Sequence, residues 1–216
     1  MAFDVLDEHE QGELVQKWLR ENAMSILIGV GLGLLLIFGW QQWNAHRAQR
    51  RLDAATQYDV FVADLDKKDF DAAKQIAAKL QSDFGSTPYA AFAALRLADA
   101  ASARGDLATA HGALEYVHAH AGVEALRVLG GLYLARVELA ENKAEDALRL
   151  LDGLPALGYA ALRDELRGDA LAALGRRDEA RTAYTDALTN LDVNAPRRAM
   201  VEMKRNELGG GEKKNS

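Results

Sequence analysis

The N-terminal quarter of the chain contains a long stretch without any charged side chain. Residues 22–45 include no Asp, Glu, Lys or Arg, and 18 of them, residues 23–40, form its apolar core. In a helix this core rises about 27 Å, which nearly matches a hydrocarbon layer of about 30 Å. Trp40 and Trp43 follow at the depth where indole rings favour the membrane interface. The stretch therefore predicts one transmembrane helix over residues 22–45, in contact with the lipid bilayer.

A cleavable signal peptide is the main alternative for an apolar segment near an N-terminus. Such a peptide begins with a short basic region and ends in small residues at its cleavage site. Here residues 1–21 carry six carboxylates against two basic residues, and the polar sequence QQWN follows the apolar core. We therefore expect an uncleaved anchor. Lys17 and Arg20 precede the span and three arginines follow it, which is too even a division to set its orientation.

The segment before the span has an amphipathic pattern. Leu14, Val15, Trp18 and Leu19 share one helical face among charged neighbours. This spacing predicts a short amphipathic segment over residues 1–21 that leads into the membrane. Its net charge of −4 disfavours tight binding to anionic lipid.

Glycines inside the span indicate a second use of this helix. Gly29 and Gly33 form a GxxxG pair, which lets another transmembrane helix approach closely. Glycine is also frequent in transmembrane helices without such a role, so both interpretations stay open.

The rest of the chain is predicted to be all-α. Helix-forming residues dominate it, the whole sequence has only three prolines, and short breaks rich in Gly, Asp or Pro separate the apolar segments. Segments joined by such short breaks pack as antiparallel neighbours.

An inner alanine recurs along these segments. Ala73, Ala110, Ala147 and Ala180 are separated by 37, 37 and 33 residues. A turn precedes each alanine, and three of the four residues at its central position tolerate positive φ well. These turn residues are Lys68, Gly105, Asn142 and Gly175.

The last copy of the pattern is the clearest. Gly168 lies in its first helix, and Tyr184 and Ala187 continue the inner face of its second helix beyond the alanine. The pattern resembles the tetratricopeptide repeat, in which two antiparallel helices cross at small residues with a period near 34. We therefore predict a tetratricopeptide-like α-solenoid of about four helix pairs over residues 46–208, ending in a polar capping helix. Residues 209–216 are expected to form a flexible tail.

No catalytic or cofactor-binding pattern occurs in the sequence. It has no cysteine, P-loop, GxSxG or HExxH motif. His111, His118 and His120 are close in sequence, but a metal site would need carboxylates from elsewhere, and surface histidines are the favoured interpretation. The absence of a basic stripe argues against nucleic acid as a partner. We expect a non-enzymatic protein without cofactor or metal.

The predicted array offers a concave groove for peptides or partner proteins. Its lining would come from the first helix of each pair, at residues 89–103, 124–141 and 160–174. The candidate contacts are Tyr89, Phe92, Tyr133 and Tyr159. Each of these aromatics is equally well explained as core between repeats.

The N-terminal third also resembles the YfgM-like family of ancillary SecYEG translocon subunits from Gram-negative bacteria. The resemblance rests on an acidic start, the sequence KWLREN, a glycine-rich span and the sequence GWQQWN at its exit, followed by the tetratricopeptide-like domain. It implies a single-pass protein of the bacterial inner membrane with a cytoplasmic N-terminus and a periplasmic repeat domain. It also implies association with the SecYEG translocon and a membrane-anchored periplasmic chaperone, and assistance to unfolded or newly exported proteins.

Two other classes of function remain compatible with the sequence. One is a membrane-anchored repeat scaffold for envelope or cell-division assembly, and the other is an adaptor whose repeat domain faces the cytoplasm. Both would share the anchor and the repeats, so their partners and their orientation distinguish them.

Overall fold

A computed structural model of the chain describes residues 8–209. These residues form nine α-helices and no strand, which confirms the predicted all-α class. The helices are α1 Glu8–Asp66, α2 Phe70–Phe84, α3 Pro88–Ala103, α4 Leu107–His120, α5 Glu124–Ala140, α6 Ala144–Gly153, α7 Ala160–Ala173, α8 Arg177–Asn190 and α9 Arg198–Gly209.

The chain divides into two compact units, residues 1–50 and residues 51–216. The described part of the first unit is the N-terminal portion of α1, which runs without a break through positions 21 and 45. Among the described residues, α1 is the helix long and apolar enough to cross a membrane, and none of its most apolar window is buried in the protein. A core helix of a soluble protein would bury that surface instead.

The second unit is a series of helix pairs. Successive helices from α2 to α9 pack on one another, and α5 also contacts α3 and α7. The first helices of neighbouring pairs therefore stack, as in an α-solenoid. The end of α1 completes the first pair, because its buried residues Ala54 and Phe61 belong to the same core cluster as Ala73 and Ala77 of α2. With α9 as the final helix, the described residues confirm four helix pairs.

Left-handed turns separate the two helices of each pair. The central turn residues are Lys68 with φ 62°, Gly105 with φ 76°, Asn142 with φ 61° and Gly175 with φ 75°. In the first two turns an aspartate follows, and its side chain accepts a hydrogen bond from the backbone N–H of the third residue of the next helix. The lysine shows that the repeat geometry imposes this conformation even on a residue that disfavours it.

The recurring alanines lie in the interior. Ala73, Ala110, Ala147 and Ala180 are fully buried. A side chain larger than a methyl group at these positions would force neighbouring helices apart. The interior consists of three successive clusters, contributed by α1 to α5, by α5 to α7 and by α6 to α9. Each cluster is shared between neighbours in the chain, so the core extends along the solenoid.

Gly168 and Tyr184 make a close contact between α7 and α8. A Cβ atom on Gly168 would lie 2.4–2.9 Å from three atoms of the Tyr184 ring. The ring is 3% exposed, and its hydroxyl donates a hydrogen bond of 2.7 Å to Asp169. Ala187, one turn further along α8, is also fully buried. Glycine at position 168 therefore provides the space that the tyrosine occupies.

The C-terminal helix is attached by charged side chains as well as by Val201, which is fully buried. Lys204 Nζ lies 3.0 Å from Glu165 Oε1 and 2.8 Å from both carboxylate oxygens of Asp169. Arg197 pairs with the second oxygen of Glu165 at 2.9 Å. The helix predicted over residues 197–208 agrees with α9 to within one residue at each end. The remainder of the predicted tail, residues 210–216, lies outside the described residues.

Candidate partner-binding surfaces

A cleft of about 320 Å³ lies between the exposed faces of α3 and α5. We call it the α3–α5 cleft, and its lining is Leu95, Ala98, Asp99, Ser102, Leu114, Tyr133, Arg136 and Val137. Phe92 follows the same helical face one turn before Leu95 and is 39% exposed.

The chemistry of the α3–α5 cleft suits a peptide with both apolar and polar groups. Leucine, valine and tyrosine side chains supply apolar surface, while Asp99 and Arg136 supply one charge of each sign. The Arg136 guanidinium carbon lies 5.7 Å from the centre of the Tyr133 ring, which orients its side chain. Such mixed linings bind apolar side chains and fix their orientation with a few polar contacts.

The four aromatics predicted for the groove are in two different environments. Phe92 and Tyr133 are exposed beside the cleft, at 39% and 36%. Tyr89 is half-buried, with its ring centre 5.6 Å from that of Tyr58. Tyr159 packs on the second core cluster, which α5, α6 and α7 contribute. Of the four, Tyr133 lines the cleft and Phe92 is exposed beside it.

The residues that sequence reasoning missed at this cleft are Leu95, Asp99 and Ser102. Their signal was present in the sequence, because they follow Phe92 at intervals of three and four residues along α3. The pattern alone did not show that α5 lies opposite them.

A second candidate surface lies on the membrane segment of α1. A Cβ atom on Gly29 or Gly33 would meet no atom outside the local helix within 4 Å. Both glycines therefore present open backbone on one face, which is what close packing of a second helix requires. At the exit, the ring centres of Trp40 and Trp43 are 5.4 Å apart.

The charged groups buried between α7, α8 and α9 are paired with one another and have a structural role. Burial alone would lower the pKa of Lys204, but hydrogen bonds and charge from Asp169 and Glu165 outweigh it and raise that pKa. Burial and the hydrogen bond to Asp169 raise the pKa of Tyr184. The hydrogen bonds and ion pairs of these groups join α7, α8 and α9 at the end of the solenoid.

Glu138 is different, because one of its oxygens is buried without a partner. The residue is 9% exposed and its Oε2 atom has no hydrogen bond. Burial raises the pKa of Glu138, and the nearby His111 opposes that shift. The Nδ1 atom of His111 lies 3.1 Å from the Oε2 atom of Glu141. Among the described residues, no group of three or more candidate ligands is arranged to hold a metal ion.

Comparison with known proteins agrees with this architecture. The tetratricopeptide repeat-like domain family matches residues 16–210. The chain is 32% identical to an ancillary SecYEG translocon subunit of Escherichia coli K12, over 94% of this chain and 97% of that protein. It is 27% identical to the protein of the same name from Haemophilus influenzae, over 96% of this chain and 100% of that protein. The chain therefore belongs to the tetratricopeptide repeat-like family that includes the ancillary SecYEG translocon subunits.

Proposed function

We propose that this protein is an ancillary subunit of the Sec translocon, anchored in the inner membrane, whose repeat domain faces the periplasm. In that position it links the translocon to a membrane-anchored periplasmic chaperone and assists newly exported proteins without enzymatic chemistry. Similarity over nearly the full length of the E. coli ancillary SecYEG translocon subunit is the observation that carries this proposal. The exposed apolar helix and the exposed α3–α5 cleft supply the two surfaces that such a function needs.

The periplasmic orientation is the part of the proposal that comes from the family resemblance, because the flanking charges are nearly even. Large domains are translocated with little regard to such small differences in charge. Alkaline phosphatase fused to the C-terminus tests this placement, since the enzyme becomes active only after export. An inactive fusion that is stably produced would rule out a periplasmic repeat domain and favour the cytoplasmic adaptor.

Translocon association is tested by mild-detergent purification followed by mass spectrometry. Gly29→Leu and Gly33→Leu fill the open face of the membrane helix without an internal clash, so we expect them to reduce recovery of translocon subunits. Gly31→Leu is a matched control, because Gly31 is equally open but lies on the opposite face. Recovery of cell-division or envelope-assembly proteins instead of the translocon would favour the scaffold alternative.

The repeat domain's contribution is tested separately at the α3–α5 cleft. Phe92→Ala and Tyr133→Ala remove exposed aromatic surface and leave the buried faces of α3 and α5 intact. We expect loss of chaperone or client cross-linking while the translocon is still recovered. Met203→Ala on α9 is the control, because Met203 is 55% exposed and lies outside the cleft. Equal loss in the control would show that the cleft is not the contact.

A further inference from the structure

We propose that Trp43 and Arg47 of α1 bind the phosphate of an anionic phospholipid at the C-terminal end of the membrane span. This site rests on the membrane anchor of the proposed function, and it depends neither on the translocon nor on the orientation of the span. It concerns residues of the first unit only.

The charge distribution along α1 favours an anionic ligand at this end. Residues 22–52 contain no carboxylate, and Arg47 is the first charged side chain after Glu21. A second arginine of the same unit follows three residues later, at position 50. The exit of the span is therefore a local cluster of positive charge, whereas the segment before the span is acidic.

The side chains of this end form one continuous face. Trp40, Trp43 and Arg47 are spaced by three and four residues, so they lie on the same side of the helix. The Arg47 guanidinium carbon lies 4.4 Å from the centre of the Trp43 ring. Helical side chains lean toward the N-terminus, and here that lean carries the guanidinium back toward the membrane.

The depth of the guanidinium follows from this contact. The apolar core ends at Trp40, and Trp43 lies about 4.5 Å further along the helix. The headgroup layer on each side of a bilayer is about 5–8 Å thick. Because the guanidinium stacks on Trp43, it lies within the phosphate layer and does not extend beyond it into water.

The guanidinium is also chemically available to a phosphate. A guanidinium has five N–H donors, and its contact with the Trp43 ring occupies one side of the group, so donors remain for two phosphate oxygens. Within residues 8–209, Arg47 forms no ion pair that would compete, and Trp43 is 49% exposed. The Trp43 indole holds the Arg47 guanidinium in position, and the guanidinium N–H groups donate hydrogen bonds to the phosphate.

The net charge of the site selects an anionic lipid over a zwitterionic one. Each basic residue near a surface contributes about 1 kcal/mol of attraction to anionic lipid, which corresponds to about a fivefold enrichment. A zwitterionic headgroup offers a phosphate as well, but its own cation is repelled by the arginine cluster. An anionic phospholipid is therefore the expected occupant, and phosphatidylglycerol is the probe for it.

Fluorescence quenching by brominated lipids tests the site in the full-length chain. The variant Trp18→Phe leaves Trp40 and Trp43, both at the exit, as the tryptophans. It is reconstituted in phosphatidylcholine with a minor fraction of phosphatidylglycerol, with bromine on the acyl chains of one lipid or the other. Per brominated lipid, we expect phosphatidylglycerol to quench about fivefold more strongly than phosphatidylcholine.

Substitutions in this background assign the effect to Arg47. We expect Arg47→Gln to lower the preference about fivefold, which is the share of one basic residue, while Arg50 remains. Arg47→Lys should retain part of that share, because lysine keeps the charge but lacks the planar fork. Arg20→Gln, which removes the same charge at the opposite end, should leave the preference unchanged. Equal quenching by both lipids, or a preference that Arg47→Gln leaves unchanged, would overturn the lipid site and leave the anchor intact. No quenching by either lipid would refute the anchor itself.

Discussion

Substitution of Gly168 by alanine tests the packing between α7 and α8 most directly. The added methyl group would lie 2.4 Å, 2.5 Å and 2.9 Å from the Cε1, Cδ1 and Cζ atoms of Tyr184. The ring cannot easily withdraw, because it is buried and its hydroxyl is hydrogen-bonded to Asp169. The helices must therefore separate or the ring must leave its preferred rotamer.

Two opposing contributions set the magnitude of the effect. Alanine is favoured over glycine inside a helix by about 1 kcal/mol. Overpacking of a well-filled core costs about 1–3 kcal/mol. With three ring atoms inside contact distance, we expect the upper end of that range, so Gly168→Ala should be less stable than the parent by about 2 kcal/mol.

Gly112 is the matched control for this prediction. It lies within α4, and a Cβ atom there would meet nothing within 4 Å. Gly112→Ala should therefore show the helix preference alone, a gain of up to about 1 kcal/mol. Thermal unfolding of the full-length chain in mild detergent, followed by helical circular dichroism, compares the two variants at about 2–4 °C per kcal/mol.

A double mutant then identifies the clash. Tyr184→Leu removes the ring, so Gly168→Ala should cost much less in that background, with a coupling energy of about 1–3 kcal/mol. If Gly168→Ala instead raises the Tm as much as Gly112→Ala does, or if its cost is the same with and without the ring, the packing described between α7 and α8 is wrong.

Three further predictions concern the repeat domain, each measured by thermal unfolding. Lys204→Met removes the cation that Glu165 and Asp169 share. Glu165 keeps Arg197 and Asp169 keeps the Tyr184 hydroxyl, so we expect a loss of about 1–3 kcal/mol, and an unchanged Tm would contradict the network. Burial raises the pKa of Glu138 in the folded domain above the ordinary glutamate pKa. The contribution of Glu138 to the free energy of unfolding therefore falls as the pH rises from the ordinary pKa through the raised pKa of the folded state. Glu138→Gln should therefore stabilise the domain above that range but not below it, and equal effects at all pH values would refute this. Gly105→Ala, at φ 76° with no atom within 4 Å, should cost about 1 kcal/mol through the backbone alone, whereas a stabilised variant would contradict the turn geometry.

Much of the fold could be predicted from the sequence because short-range patterns determine it. The alanine period and the turn residues identify the helix pairs, and Gly105 and Gly175 supply the left-handed conformation directly. Lys68 shows the limit of this reasoning, because a poor residue for positive φ still occupies the turn in the first copy. The changes in polarity at positions 21 and 45 predict where the chain enters and leaves the membrane. They do not mark helix ends, because the backbone continues as helix across both positions.

The functional surfaces were less predictable because they depend on which helices become neighbours. Tyr89 and Phe92 are one turn apart on α3, yet the first packs against Tyr58 and the second is exposed. Helical spacing assigns a residue to a face, and it does not show what covers that face. The same reason explains why the contact between Lys204 and Glu165, which are 39 residues apart, has no signal in a local pattern.

The succession of three core clusters has a consequence for how the domain reaches its native state. Each cluster joins only helices that are near one another in the chain, from α1 to α5, then α5 to α7, then α6 to α9. Contacts of low sequence separation form quickly and do not wait for distant segments. A chain that emerges from a narrow exit N-terminus first could therefore acquire its pairs in order, beginning at the end of α1. Lys204 and Val201 of the last helix would then complete the final cluster only when the whole domain has been delivered.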